Sequence, residues 1–130
     1  MKEYELLRTS LSKIPVIDRC DHLRDKKEGF LAYIVFKDAS TVNLDVTILS
    51  RAFPSIIPEV VNRLKHENIN LENRYSIIMA PYISAESAKQ CENLGIGYLD
   101  MSGNCRLHFR SIYVNDQGHP NKFAEKRTAK

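Results

Sequence analysis

The stretch LDVTILSRAFP, residues 44–54, indicates the fold class of this chain. Leucine, valine and isoleucine alternate with Asp45 and Thr47 over its first half, which is the period of a β-strand with two different faces. Pro54 follows, and from there apolar residues recur at helical spacing, which predicts an amphipathic helix over 54–67. A strand that runs directly into a helix is a unit of an α/β fold.

The segments before this unit predict a helix and a β-hairpin. EYELLRTSLSKI (3–14) carries one apolar helical face, and VIDRC (16–20) is typical of a brief strand. The next residues, DHLRDKKEG (21–29), are so charged that they predict a loop or the solvated end of a strand. FLAYIVFK (30–37) and VNLDVTIL (42–49) are joined by a short polar connection, so we expect them to pair antiparallel.

The second half of the chain predicts a central strand, a helix and three short strands. YSIIMAP (75–81) is a continuous apolar run, as in a strand covered on both faces. A helix over 84–95 follows, with Ser84 as N-cap and Gly95 at its end. IGYLDM, CRLHF and SIYV then predict strands around the turn 102–104. The sequence therefore predicts an α/β fold with a mixed central sheet flanked by helices.

Composition and charge indicate one domain with a basic tail. The 130 residues are 43% hydrophobic and 27% charged, which suits one globular domain over 1–116 followed by a tail or linker over 117–130. The formal charge of +3 arises in the tail, where four basic residues face one acid, Glu125. The four are Lys122, Lys126, Arg127 and Lys130.

Other sequence features predict the cellular compartment. No apolar run approaches the roughly 20 residues that a membrane-spanning helix needs, and the N-terminus has no signal-peptide core, so we expect no membrane contact and a cytoplasmic location. Cys20, Cys91 and Cys105 lack CxxC spacing, which favours reduced thiols over disulfides. Their neighbours His22 and His108 do not complete a zinc ligand pattern, and the sequence implies no cofactor.

Two stretches carry a resemblance to a known family. The predicted α-β-β-β-α-β order, with a strand of the form L-x-V-x-I-x-S-R-x-F-P, resembles the PD-(D/E)XK, or restriction-endonuclease-like, superfamily. More narrowly, YSIIMAPYISAESAKQCENLGIGYLDMSGNCRL (75–107) resembles a prokaryotic subgroup with an APY-(I/L)-S strand end and a G-x-GY-x-D-x-x-GN block. The resemblance implies relatives that continue into a winged-helix domain and act as transcriptional regulators or antitoxins.

The nuclease motif of that superfamily is degenerate at the corresponding positions. The resemblance implies an acidic residue followed by Glu-x-Lys, in which carboxylates hold a divalent metal and the lysine positions the attacking water. The first slot falls near Leu31 and Ala32, and the other two fall on Thr47 and Leu49. A register shifted by two residues brings in Asp45 but places Thr47 at the lysine slot, so we interpret Asp45 as an exposed strand residue and expect no metal site.

Two further groups are candidates for binding. The first group lies at the end of a predicted strand, where several polar residues and one glycine occur close together. Such a group forms either a ligand site or a tight turn. Its members are Tyr98, Asp100, Ser102, Gly103 and Asn104. Arg106, His108 and Arg110 alternate along a strand and with the tail predict either phosphate contacts or a solvated face. The candidate phosphate contacts are Arg106, Arg110, Lys122, Lys126, Arg127 and Lys130.

Three hypotheses follow from these residues. The first is a catalytically inactive nuclease-like domain, the N-terminal sensory or dimerisation part of a DNA-associated regulator or antitoxin that binds DNA weakly through this chain alone and forms a homodimer. The second is a metal-dependent endonuclease with relocated carboxylates. The third is a homodimeric scaffold with no nucleic-acid role. The relocated carboxylates of the second hypothesis are drawn from Asp21, Asp25, Glu28, Asp45 and Asp100.

Overall fold

The computed structural model describes residues 2–66 and 73–123. Three helices and seven strands occur in this part of the chain, in the predicted order. The helices are α1 (Lys2–Ser12), α2 (Ile57–His66) and α3 (Ala85–Asn93). The strands are β1 (Ile17–Lys26), β2 (Gly29–Phe36), β3 (Thr41–Ile48), β4 (Arg74–Ala80), β5 (Gly97–Asp100), β6 (Cys105–Phe109) and β7 (Ile112–Asp116).

The strands form one mixed sheet in sequential order from β1 to β7. β1, β2 and β3 pair antiparallel, β3, β4 and β5 pair parallel, and β5, β6 and β7 pair antiparallel again. The two parallel steps follow from the helical connections, because a strand reached through a helix returns in the same direction. The predicted mixed sheet flanked by helices is confirmed, as are the antiparallel hairpin and the central position of β4.

The sheet separates two hydrophobic cores. Leu7 and Leu11 of α1 pack with one set of strand residues, which includes Ile77 and Met79. Ile78, which lies between those two along β4, packs with α2 and α3 instead. Successive residues of a strand point to opposite faces. The molecule therefore has three layers, with α1 on one face and the other two helices on the other.

Two element boundaries differ from the sequence prediction. Residues 21–26 belong to β1, so the charged segment is the solvated part of a strand and only its last residues form a turn. β1 is an edge strand with two register shifts, and charged residues are tolerated there because one side pairs with no other strand. Helix α2 begins at Ile57 because 54–56 form a turn, in which Ile56 N donates to Phe53 O at 3.1 Å.

Gly29 sets the register of the β2–β3 hairpin. It lies opposite Thr47 with φ +156°, and a Cβ atom at this position would be 1.9 Å from the Val46 carbonyl oxygen. No side chain fits there, so the start of β2 can approach β3 closely only with glycine. Because Gly29 carries no side chain, the Lys26 side chain of β1 reaches across β2 to Thr47 near the end of β3.

Candidate functional site

A buried carboxylate lies on β3, the third of the seven strands. Asp45 on β3 is fully buried. Lys26 Nζ, from the end of β1, lies 2.5 Å from Asp45 Oδ1, and Arg74 Nε, from the start of β4, lies 3.6 Å from Oδ2. These contacts are ion pairs rather than well-aligned hydrogen bonds, since neither oxygen has a hydrogen-bond donor among the described residues. The expectation that Asp45 is exposed is wrong.

The four positions assigned to the expected motif carry no second carboxylate beside Asp45. Leu31 lies opposite Asp45 in the hairpin and is buried, and Ala32 belongs to the core on the α1 side. Thr47 is buried and accepts a hydrogen bond from Lys26 Nζ at 3.1 Å. Leu49 lies one residue beyond β3 and packs against the core below α2 and α3. Of these positions, only Thr47 contacts the charged cluster.

Lys26 and Arg74 are functional candidates that the sequence analysis missed. The signal for them was present, because an aspartate in the middle of an apolar strand needs a cationic partner once it is buried. The hairpin register places Lys26 opposite Gly29, and Gly29 opposite Thr47. Arg74 is placed by the parallel pairing of β3 with β4, which brings Ser76 opposite Asp45. The register of that pairing could not be derived from local sequence alone.

The other carboxylates proposed for a relocated nuclease site are separately paired. Asp21 accepts from Arg19 Nε at 2.7 Å, and Asp25 Oδ1 lies 2.8 Å from His22 Nε2. Glu28 Oε2 accepts from Arg63 Nη2 of α2 at 2.5 Å. Across residues 2–66 and 73–123, no three His, Cys, Asp or Glu side chains are arranged to hold a metal ion. The carboxylates present therefore do not fit the divalent metal that the resemblance implies.

Asp100 organises the second candidate group as a turn. Its carboxylate accepts from the backbone N–H groups of Ile83, Ser102 and Asn104 and from Asn104 Nδ2, at distances of 2.8–2.9 Å. Asp100, Ser102 and Asn104 are all buried. A carboxylate that accepts four donors from its own chain has little capacity left for a ligand. These contacts are those of a hydrogen-bonded turn, the structural alternative that the sequence left open.

The same turn fastens the segment 117–123 to the domain. Asn104 Oδ1 accepts from His119 N at 2.9 Å, and its Nδ2 donates to His119 O at 3.0 Å. Ser102 Oγ donates to Pro81 O at 3.1 Å and accepts from Lys122 N at 3.2 Å. The His119 ring lies 3.1 Å from the position of a Cβ on Gly103, so a side chain there would crowd it. The segment after β7 is thus held against the end of β4.

Tyr98 lies below α3 and is fully buried. Burial raises the pKa of its phenol to about 12, so Tyr98 is neutral at physiological pH. Burial likewise raises the pKa of the Cys91 and Cys105 thiols to about 12 and that of Cys20 to about 11. All three cysteines are free, and Cys91 packs as a small apolar residue in the core below α2 and α3.

The basic residues proposed for phosphate contact differ in their surroundings. Arg106 lies 5.6 Å from the Tyr113 ring centroid and 3.9 Å from Glu92, and its side chain is 14% exposed. Arg110 lies in the turn after β6, where it donates to Ser40 Oγ at 2.6 Å and lies over the Phe36 ring. Lys122 is exposed. Lys126, Arg127 and Lys130 lie outside the described residues.

Comparison with solved structures finds three matching chains, each less than 25% identical to this one. A repair endonuclease from Pyrococcus abyssi is 23% identical with a TM-score of 0.35, over 75% of this chain and 46% of that one. EndoMS in apo form is 16% identical with a TM-score of 0.38, over 77% of this chain and 44% of that one. EndoMS in a complex titled EndoMS-dsDNA2 is 18% identical with a TM-score of 0.35, over 75% and 44% respectively. This chain spans less than half of their length.

Two other comparisons give no match. No protein-family model matches the chain, and no curated protein matches it.

Among the described residues, no helix combines the length and apolar character needed to cross a membrane.

Proposed function

We propose that this chain is a nuclease-like domain without nuclease activity, which serves as a sensory or dimerising part of a DNA-associated regulator or antitoxin. The observation that carries the proposal is the buried cluster of Asp45, Lys26 and Arg74. Asp45 is the carboxylate that lies nearest in sequence to the expected motif positions Thr47 and Leu49. The cations of Lys26 and Arg74 already pair with it. A metal would have to displace the Lys26 ammonium and compete with Arg74, with no second free carboxylate among the described neighbours to compensate.

The charge balance of this cluster supports a structural role. Lys26 and Arg74 are only 13% and 20% exposed, so both cations are largely removed from water together with Asp45. A buried charge is stable only when it is paired. Both cations lie against Asp45, Lys26 also donates to Thr47 Oγ1, and Arg74 also donates to the Leu64 carbonyl. Hydrolysis of DNA would instead need an accessible carboxylate pair that binds Mg²⁺ or Mn²⁺.

A metal-dependent endonuclease is the second candidate, favoured by one contact. Lys26 Nζ donates to Thr47 Oγ1, so an ammonium stands beside the residue two positions after the acid. The motif implied by the resemblance places its lysine at that distance from its carboxylate. In this interpretation, Lys26 on β1 takes the place of the motif lysine, because β3 carries Thr47 at that position.

Nuclease assays separate the two candidates. Purified protein is incubated with linear and supercoiled DNA in the presence of Mg²⁺ or Mn²⁺, alongside Asp45→Asn and, as a control, the exposed acid variant Asp38→Asn. We expect no cleavage by any of the three proteins, and no Mn²⁺ binding in calorimetry. Cleavage that Asp45→Asn abolishes and Asp38→Asn retains would establish the endonuclease instead.

The DNA association is proposed to be weak and electrostatic. Arg106 and Arg110 already contact side chains of this chain, which leaves Lys122 as the described candidate without a side-chain partner. With at most six phosphate contacts, the plot of log affinity against log salt for duplex DNA should have a slope no steeper than about −5. Fluorescence anisotropy between 50 and 200 mM salt, roughly the range over which such contacts are lost, measures this slope. Binding that is insensitive to salt would contradict the proposal.

A further inference from the structure

A groove with exposed aromatic walls lies at the ends of β3 and β4. It has a volume of about 540 Å³ and is bordered by the segments 50–54, 81–84 and 121–123; we name it the Phe53–Phe123 groove. The residues that matter here are Arg51, Phe53, Tyr82, Ser84 and Phe123. Its volume falls within the range of about 300–1,000 Å³ that is typical of small-ligand sites.

The aromatic rings of this groove are accessible. Phe53 is 52% exposed and Phe123 is 50% exposed, and Tyr82, which also lines the groove, is half-buried. Neither phenylalanine contacts another aromatic ring within the described chain. Burying such rings is strongly favourable, so two of them left exposed in one groove indicate a surface that contacts a partner.

The charge of the groove selects an anionic partner. Arg51 lines it, is exposed, and forms no ion pair or hydrogen bond with a described residue. No aspartate or glutamate is among the lining residues. Glu86 lies two positions after Ser84, in the first turn of α3, and Glu125 lies two positions after Phe123, outside the described residues. A free guanidinium beside aromatic faces is suited to a phosphate attached to a planar base.

Both walls of the groove are held by hydrogen bonds. Ser87 Oγ of α3 donates to the Ala52 carbonyl at 2.6 Å, which holds the backbone next to Phe53. On the other wall, Ser102 Oγ joins Pro81 O to Lys122 N, and Phe123 N donates to Asn121 Oδ1 at 2.8 Å. The rings are therefore presented by anchored backbone, which lowers the entropy cost of binding a ligand.

We propose that the Phe53–Phe123 groove binds single-stranded DNA, with unpaired bases stacked on Phe53 and Phe123 and a phosphate held by Arg51. Stacking on aromatic side chains with a cation for the backbone is how proteins bind single strands without reading their sequence. This inference deepens the proposed function, because it names the form of DNA that the domain contacts. It does not depend on the Asp45 cluster or on the basic residues assigned to duplex binding.

The test compares the affinity of the whole chain for fluorescein-labelled oligothymidylate with that of variants. Phe53→Ala and Arg51→Ala should each weaken binding about tenfold, the loss typical of one stacking or ionic contact. Phe53→Trp should retain binding, whereas Phe53→Leu, which keeps an apolar side chain without a ring, should not. Controls are Tyr113→Ala, an aromatic residue of 57% exposure outside the groove, and Arg24→Ala, an exposed arginine on β1.

The outcomes distinguish this inference from the proposed function. The inference is supported if Phe53→Ala, Phe53→Leu and Arg51→Ala bind more weakly while Phe53→Trp and both controls bind like the wild type, with circular dichroism spectra unchanged. Equal binding by Phe53→Ala and Tyr113→Ala would overturn it, as would tighter binding of oligouridylate RNA. A dimer that Phe53→Ala dissociates without DNA would show that a second copy occupies the groove. Duplex binding and the nuclease assay are unaffected by any of these results, so each proposal can fail alone.

Discussion

At the scale of single residues, Asp45 shows how burial changes the meaning of a sequence position. In an alternating strand, an aspartate between Leu44 and Val46 is normally on the solvent face. Here that face is enclosed by Arg74 and by Lys26, whose side chain extends from β1 across Gly29. The local pattern correctly predicts which face Asp45 occupies, but exposure depends on residues 19 positions before and 29 positions after it. Those contacts belong to the tertiary fold.

Replacing Lys26 tests the contribution of the ion cluster to stability. Lys26→Met keeps the length and apolar stem of the side chain but removes the charge beside Asp45. Because Arg74 still faces the carboxylate, we expect a loss of about 2–4 kcal/mol in the free energy of unfolding, near the lower end of the range for a broken buried pair. Urea denaturation followed by circular dichroism measures it.

A neighbouring lysine provides the control. Lys27 is exposed and lies in the turn after β1, so Lys27→Met should change the free energy of unfolding by less than about 0.5 kcal/mol. The double variant Lys26→Met with Asp45→Asn should recover part of the loss, since the buried carboxylate is then removed and only Arg74, which is partly exposed and donates to the Leu64 carbonyl, stays charged. Equal stability of the two lysine variants would mean that the pair contributes nothing.

At the scale of elements, the β2–β3 hairpin and the two helical crossovers were predicted because their signals are local. Alternating and continuous apolar runs, Ser84 as N-cap and the polar hairpin connection each act within about ten residues. The Ser84 cap is confirmed, since its side chain accepts from Ser87 N. The apolar pattern marked only the first residues of β1 because the rest of this strand is mostly charged and half-buried or exposed, and its strand geometry comes from pairing with β2.

Gly29 provides a test of how closely the hairpin strands must approach. In Gly29→Ala, the new methyl group would collide with the Val46 carbonyl at a φ that side chains rarely adopt. We expect a loss of about 2–4 kcal/mol in the free energy of unfolding, the size typical of backbone strain combined with displaced strands. Thermal melting checks the result.

The matched control for this variant is Gly118→Ala. Gly118 also has positive φ, +88°, but nothing lies within 4 Å of its added Cβ. Its loss should be limited to the conformational strain of about 1 kcal/mol. If both variants melt at the same temperature, the close approach at Gly29 has no energetic importance.

At the scale of the whole molecule, the two cores on opposite faces of the sheet explain why several candidate residues are buried. The face covered by α2 and α3 buries Tyr98 and Cys91, and the face covered by α1 buries Cys105. Sequence composition predicted one domain with reduced thiols, but it could not show that the tail segment 117–123 completes a groove. That arrangement depends on hydrogen bonds between Asn104 and His119, which are 15 positions apart.

The raised pKa values of these buried groups predict that the protein loses stability in alkali. In the unfolded chain, Cys91 and Cys105 have pKa values near 9.0 and Tyr98 near 10.0, whereas in the folded chain all three rise to about 12 because of burial. Between these values the unfolded state binds fewer protons than the folded state. The stabilising difference is therefore complete below about pH 9 and is lost as pH rises toward 12.

Urea unfolding at a series of pH values from neutral to alkaline measures this dependence. Once the pH exceeds the pKa of the thiols in the unfolded chain, the free energy of unfolding should fall. The expected decrease is about 1.4 kcal/mol per pH unit for each group that is ionised only in the unfolded chain. The variant Cys91→Ala with Cys105→Ala removes two such groups, so its stability should decline less steeply, although it is lower at neutral pH because two core side chains are smaller. Parallel curves for this variant and the wild type would show that the thiols ionise equally in both states and that their burial does not control alkaline unfolding.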